Sequence, residues 1–240
     1  MQFFHNTIDL SNRVYKVANE QRTLSILVGP PSVGKSTWVQ NNVPNAFVIS
    51  RDDIVTEVAS GVGLTYDDLF SSPDQDLPVG HVDEKYGTVI DRPVHLPKFL
   101  PPKVWDKVSE ANGEVHRRFQ QRIKDAKSSG QDIVVDMTNM NKRARTGMLD
   151  NFKGLEGYKK RVVNFNFEGD DVQSAIKDIS RQRAKEIAER GGSKNIPDDV
   201  FDSMFGRYQA PSLEEGFDIL EEVDDRERIL EQAKRLRGLL

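Results

Sequence analysis

The chain has 240 residues, 37% of them hydrophobic and 30% charged, with a net charge of −4 and no cysteine. That length suits one sizeable α/β domain, the composition excludes a disorder-like chain, and no window reaches the roughly 18 apolar residues of a membrane span. The absence of cysteine excludes disulfides, thiolate zinc sites and cysteine nucleophiles; with no secretory-signal pattern at the N-terminus, it fits a reducing cytoplasm.

Residues 1–22 read as an amphipathic lead-in, with Ile8, Leu10, Val14 and Val17 near helical spacing. A short apolar strand, Leu24–Val28, then runs into Gly29-Pro30-Pro31-Ser32-Val33-Gly34-Lys35-Ser36, and Thr37 continues a helix to Asn41. This is the pattern G-x-x-x-x-G-K-[ST] in its strand–loop–helix context. Glycines let successive N–H groups and the helix start converge on phosphate oxygens. Lys35 is placed to reach the β- and γ-phosphates, and the Ser36 hydroxyl to ligate Mg²⁺. The expectation is a site for ATP and Mg²⁺ formed by Gly29 to Thr37.

A second strand, Ala46–Ile49, leads to Ser50-Arg51-Asp52-Asp53 at the start of a helix that reaches Ser60. Two acids in a first turn serve as caps and complement the helix dipole. In a parallel sheet, however, this strand end faces the phosphate loop across the cleft. A carboxylate there can take the proton of an attacking hydroxyl. Asp52 is therefore read as the base, and Asp53 as the cap or a partner of Arg51.

Residues 61–103 hold six of the eleven prolines, so this stretch is neither a long helix nor a central strand. It reads as an insertion near the acceptor site, with Tyr66, Phe70, Tyr86 and Phe99 packing it onto the body. A helix over Val104–Ala126 and a third strand, Asp132–Val135, follow, ending in Asp136-Met137-Thr138-Asn139-Met140-Asn141. Asp136 would lie beside the phosphates, orienting Mg²⁺ waters or the acceptor, while Asn139 or Asn141 caps the helix Lys142–Phe152. No Glu follows Asp136 and no DxxG or NKxD element is present, which disfavours a GTPase switch or a Glu-activated ATPase motor.

Next come a strand over Arg161–Phe167 and a helix over Val172–Glu189, with residues 180–196 read as a lid. Arg181, Arg183, Lys185 and Arg190 precede the hinge Gly191-Gly192-Ser193 and Lys194. A lid arginine, Arg190 or else Arg183 or Arg181, would stabilise the charge that spreads over the transferring phosphoryl; the same residues would also suit a solvated helix face. A helix Asp198–Tyr208, a strand Phe217–Leu220 and a helix Arg226–Leu240 close the chain. The alternation predicts an α/β fold, a parallel sheet of about five strands with helices on both faces, in a single domain over residues 1–240. Basic groups gather at Arg117-Arg118 with Arg122 and Lys124, at Lys142-Arg143 with Arg145, and at Lys159-Lys160-Arg161. Each is a candidate nucleic-acid contact or a solvated face. His5, His81, His95 and His116 show no metal-ligand spacing and read as structural or surface residues.

The phosphate loop with Trp38, then Ser50-Arg51-Asp52-Asp53, then Asp132–Asn141, then Arg190–Pro197 followed by Asp199-Val200-Phe201-Asp202-Ser203-Met204-Phe205, come in the order found in phage-type polynucleotide 5′-kinases. Residues 24–60 and 130–208 resemble that family. The resemblance implies a P-loop kinase fold and transfer of the γ-phosphoryl of ATP to the 5′-hydroxyl of DNA or RNA. It also implies Lys35 and Ser36 on ATP and Mg²⁺, Asp52 as general base, Asp136 as the acid after the third strand, and Arg190 as the lid arginine. Three residues after the base, where that family holds a substrate phosphate with an arginine, this chain has Val55. The insertion at 61–103 has no counterpart there. A hydroxymethylated base in DNA or a small acceptor such as a sugar or nucleoside stays open, as does a nucleotide-dependent binding protein without a transfer reaction.

Overall fold

Alternating apolar side chains in three strands build the centre of the sheet. In the computed structural model of the chain, residues 21–70 and 102–239 are described, with the residue pairs 72–73, 82–83, 88–89 and 99–100 between them. Strand β1 (Thr23–Val28) turns Leu24, Ile26 and Val28 to one face and Leu27 to the other. Next to it, β3 (Ile133–Asp136) and β4 (Lys159–Phe165) divide in the same way, Ile133, Val135 and Val162 opposing Val134, Val163 and Phe165. With β2 (Phe47–Ser50) and β5 (Ile219–Val223) they form a five-stranded sheet in the order β2-β3-β1-β4-β5. Every neighbouring pair in it is parallel.

Both faces are covered, which is why the strands are nearly continuous apolar runs. On the Leu27 face lie α1 (Lys35–Asn42), α5 (Asp170–Glu189), α6 (Asp198–Gly206) and α7 (Arg226–Leu236), contributing Val39, Ile176, Phe201 and Ile229 to the core. On the opposite face lie α3 (Pro102–Ser129) and α4 (Lys142–Asn151), through Ile123, Ala126 and Met148. The Trp38 side chain is buried on α1, donates from Nε1 to Glu221 at 3.0 Å and carries Arg161 over its ring, so it fastens α1 to β4 and β5. No helix among the described residues is long and apolar enough to cross a membrane.

Helix α2 (Arg51–Gly61) leaves the sheet and packs on α3. Its Ile54, Val55, Val58 and Ala59 meet Val108, Ala111 and Val115, with Leu69 of a short 3-10 turn (Asp67–Phe70) alongside. Val55 is 2% exposed in this cluster, so the position that carries a phosphate-binding arginine in the family it resembles is here part of the core. Beyond that turn, the insertion shows two short pairings, Ser72–Pro73 with Phe99–Leu100 and Val82–Asp83 with Thr88–Val89. The rest of 71–101, including Tyr86, lies outside the described residues, as do residues 1–20 of the lead-in.

Some expectations are corrected by burial. The last strand is Ile219–Val223 rather than Phe217–Leu220, because Phe217 turns into the core of the α3–α4 face. Arg145 is no surface cation: it is 0% exposed, paired through both Nε and Nη2 with Glu215, and Nη1 donates to the carbonyls of Asn139 and Gln209. Arg117 and Arg118 both pair with Glu114, while Arg118 and Arg122 approach Glu57. These three expected surface cations thus share two carboxylates of α2 and α3, which offset most of their charge.

Candidate functional site

The phosphate loop leaves β1 at the carboxyl end of the sheet. Ser32 takes φ 65° and Gly34 φ 115°, and such changes of backbone hand aim successive N–H groups at one point. Gly34 provides α1 with no side-chain cap, and no acid stands in the first turn, so the opening N–H groups of α1 are left for an anion. Lys35 is 9% exposed, and its Nζ donates to the carbonyls of Gly29 at 3.0 Å and Pro30 at 2.8 Å. Burial draws the Lys35 pKa below the ordinary lysine value; Asp136 and Asp52 push it back up, while Lys194 and Arg183 lower it further. Thr37 is exposed one position beyond Ser36 on α1.

Gly34 is demanded by this geometry. A side chain there would be strained by its positive φ, and its Cβ would stand 2.5 Å from Nη2 of Arg228. Gly34→Ala is expected to destabilise the fold by about 1–3 kcal/mol and to weaken ATP binding. Thermal unfolding with and without Mg²⁺ and ATP checks this; an unchanged melting curve and an unchanged nucleotide-induced shift would contradict it.

Ser36 Oγ donates to Asp136 Oδ2 at 2.9 Å, joining the first turn of α1 to the end of β3. A hydroxyl and a carboxylate oxygen are hard donors that fit Mg²⁺, which keeps several waters and takes phosphate oxygens for the rest of its shell. Among the described residues no cluster of three His, Cys, Asp or Glu could form a full protein cage for a metal.

Asp136 is paired in register with Ser50, so the end of β2 delivers Asp52 to the same cleft. The helix cap is Ser50, whose Oγ accepts from the Asp53 N–H at 3.2 Å; Asp53 is not the cap, and the Asp52 carboxylate is free for other work. Asp52 Oδ1 accepts from the Tyr66 hydroxyl at 2.9 Å and Oδ2 from Lys194 Nζ at 2.7 Å, yet its side chain stays 49% exposed. Burial raises the Asp52 pKa, but the charge and hydrogen bond of Lys194 and the hydrogen bond of Tyr66 outweigh it, and the net displacement is downward. Asp52 is thus an ionised, reachable proton acceptor at neutral pH. Burial and the Asp52 charge push the Tyr66 phenol far up, so its hydroxyl remains a donor.

The three arginines of the expected lid part: Arg181 is paired with Asp178 and Asp198, and the other two differ in placement. Arg183 makes no hydrogen bond or ion pair with a described residue and acts on Lys35; crowding by the protein and the nearby Arg228 lower its pKa. Arg228 donates from Nη2 to the Val33 carbonyl at 3.3 Å and to Asp225 at 2.9 Å, directly over the phosphate loop. Arg190, by contrast, is exposed where α5 ends, makes no side-chain hydrogen bond with a described residue, and is not among the charges acting on Lys35. The structure brings together Lys35, Ser36, Asp52, Asp136 and Arg183 and leaves Arg190 outside. Sequence reasoning missed Tyr66 and Lys194 as partners of Asp52. Lys194 carried a signal, a cation directly after a double-glycine hinge; Tyr66 carried none, since its contact is made only in three dimensions.

Beside this cleft runs a groove of about 460 Å³ between the turn that follows β3 and helix α6. Thr138, Asn141, Asp199, Ser203, Met204 and Arg207 line it. The turn is pinned to the phosphate loop, since the Gly29 N–H donates to the Thr138 carbonyl at 3.0 Å and Asn139 Nδ2 to the Leu27 carbonyl at 2.8 Å.

None of the curated proteins compared matches the chain. Among solved structures, a candidate kinase from Chloroflexus aurantiacus aligns at TM-score 0.50 and 13% identity, over 91% of this chain and 95% of its own. A structure from the PezAT toxin–antitoxin system of Streptococcus pneumoniae aligns at TM-score 0.51 and 14% identity, over 92% of this chain and 88% of its own. At such identities the likeness is one of fold. The family model described as "AAA domain" matches residues 24–211, which contain the whole phosphate loop, Asp52, Asp136 and the lid. The chain therefore belongs to the AAA domain family, with the nucleotide-binding fold of a P-loop kinase.

Proposed function

We propose that this chain is an ATP-dependent phosphotransferase that passes the γ-phosphoryl to the 5′-hydroxyl of a polynucleotide. The observation that carries the transfer reading is the placement of Asp52, ionised and half exposed, within the electrostatic reach of Lys35 across a cleft floored by the Ser36–Asp136 pair. The loop N–H groups and Lys35 seat the triphosphate, Lys35 exchanging its two carbonyl partners for phosphate oxygens. Arg183 and Arg228 add positive charge on the loop side. Ser36 and Asp136 would hold Mg²⁺, which would supply neutralising charge to the phosphate oxygens. Asp52 accepts the acceptor hydroxyl's proton as the new oxygen–phosphorus bond forms, and the β–γ bridging oxygen departs with ADP. Tyr66 fixes Oδ1 and so sets the direction of the carboxylate.

The polynucleotide acceptor is supported by the order of motifs and by exposed Lys142 and Arg143 at the start of α4, next to the groove. A second reading, a small polyhydroxyl acceptor, is favoured by the groove itself, whose volume suits a sugar or nucleoside and whose lining mixes hydroxyl, amide and charged groups. Labelled ATP offered to 5′-hydroxyl DNA and RNA oligonucleotides, hydroxymethylated DNA, nucleosides and sugars distinguishes them. Label at the oligonucleotide 5′ end, suppressed by salt, is expected. Label only on a small molecule establishes the second reading, and no transfer to any acceptor contradicts both.

A further inference from the structure

The loop that follows α5 is clipped down on either side of Lys194. Ser193 Oγ donates to the Asp67 carboxylate, and the Asn195 N–H donates to Asp67 Oδ1 at 2.9 Å. Asp67 opens the 3-10 turn that Tyr66 leads into, and Asn112 of α3 holds that turn through the Leu69 carbonyl. Between the two clips, Lys194 points into the cleft. Its Nζ lies 2.7 Å from Asp52 Oδ2 and 5.0 Å from the centre of the Tyr66 ring, and its side chain is 29% exposed. Its charge is also among those that act on Lys35, whose Nζ is held by the Gly29 and Pro30 carbonyls of the phosphate loop.

From this geometry, and resting on the phosphotransferase reading above, we infer that Lys194 is a further catalytic residue: a lid-borne ammonium that contacts the transferring phosphoryl from the acceptor side. The transition state spreads negative charge over three equatorial oxygens, and Lys35 approaches them from the loop side only. A base must stand within hydrogen-bond reach of the acceptor oxygen, and that oxygen stands next to phosphorus, so a cation bonded to Asp52 is one atom layer from the equatorial oxygens. The proton balance favours the same role. As the hydroxyl proton passes to Asp52, the carboxylate becomes neutral and its ion pair with Lys194 dissolves. The ammonium charge is then released to the phosphoryl oxygens while the new oxygen–phosphorus bond forms and the bond to the β–γ bridging oxygen breaks. Lys194 keeps its three protons throughout. Arg190, the cation expected from the sequence, has no such placement.

ADP with Mg²⁺ and aluminium fluoride mimics the transferring phosphoryl and needs no acceptor. By calorimetric titration, Lys194→Ala is expected to weaken binding of the ADP–aluminium fluoride complex by about 100-fold, while ADP alone binds within about 3-fold of the wild-type value. Lys194→Gln keeps a donor for Asp52 and a stem over Tyr66 but loses the charge, and is expected to show the same selective loss. Wild-type affinity of both variants for the aluminium fluoride complex, or equal losses for that complex and for ADP, would overturn the assignment. Wild-type protein that binds the complex no more tightly than ADP would overturn the phosphotransferase reading and the inference with it.

Discussion

Replacing Asp52 by asparagine is expected to lower kcat by about a thousandfold while the affinity for ATP stays within about threefold of the wild-type value. Asparagine keeps the shape of the side chain and can still meet Tyr66 and Lys194. What it loses is the negative charge, and with it the capacity to take a proton and the ion pair with Lys194, which the chemical step needs and ATP binding does not. The split matters because Asp52 also acts electrostatically on Lys35. A residue that only tuned the phosphate site would change affinity and rate together. Single-turnover transfer measured beside an ATP titration reads the two separately. A variant with near wild-type transfer would remove Asp52 as base, and one with ATP affinity lost in proportion to rate would make it a binding residue.

Arg145→Ala is expected to destabilise the protein by about 3–5 kcal/mol, the range for breaking a buried ion pair from one side. Arg145 and Glu215 are 0% and 2% exposed, with Nη2 to Oε1 at 2.6 Å and Nε to Oε2 at 2.7 Å. The guanidinium also serves the carbonyls of Asn139, Gln209 and Ala210. Removing it strands a buried carboxylate and leaves those acceptors without their donor. Glu215→Ala should do comparable harm, whereas an apolar pair in both positions should recover much of the loss, since neither charge then has to be desolvated. Urea unfolding of the two single variants and the double variant measures this. Single losses below about 1 kcal/mol would mean that the pair behaves like a solvated surface bridge. The consequence reaches the site, because Asn139 belongs to the turn that sets Thr138 against Gly29 and lines the groove.

Arg145 also marks where sequence reading ends. Its charge and its place among Lys142 and Arg143 suggest a surface, and nothing local reveals that a carboxylate 70 positions away will meet it in the core. The phosphate loop was legible because its chemistry is local: strand, glycines, lysine and hydroxyl follow one another within a few residues. The parallel sheet was legible for a related reason, since a strand covered on both faces must be apolar throughout. Asp52 was legible only through topology, which turns the end of β2 toward the phosphate loop; the cap that frees it, Ser50, was read as part of the motif without that role. Val55 was a visible departure whose cause was hidden, namely that α2 spends that position on packing against α3. The Tyr66–Asp52–Lys194 contact joins an insertion, a strand end and a post-helical loop, and only the folded chain brings those together.

A structure of the protein with Mg²⁺ and a non-hydrolysable ATP analogue tests the central claim most directly. The quantity to measure is the distance from the γ-phosphorus to the nearer Asp52 carboxylate oxygen. Room for one acceptor oxygen between them, in contact with phosphorus and hydrogen-bonded to the carboxylate, requires about 5–6 Å. The expected result is that separation, with Lys35 on the phosphate oxygens and Ser36 and Asp136 on the metal side. A triphosphate seated on the loop with Asp52 more than about 8 Å from the γ-phosphorus, beyond the reach of any shared hydroxyl, would contradict it.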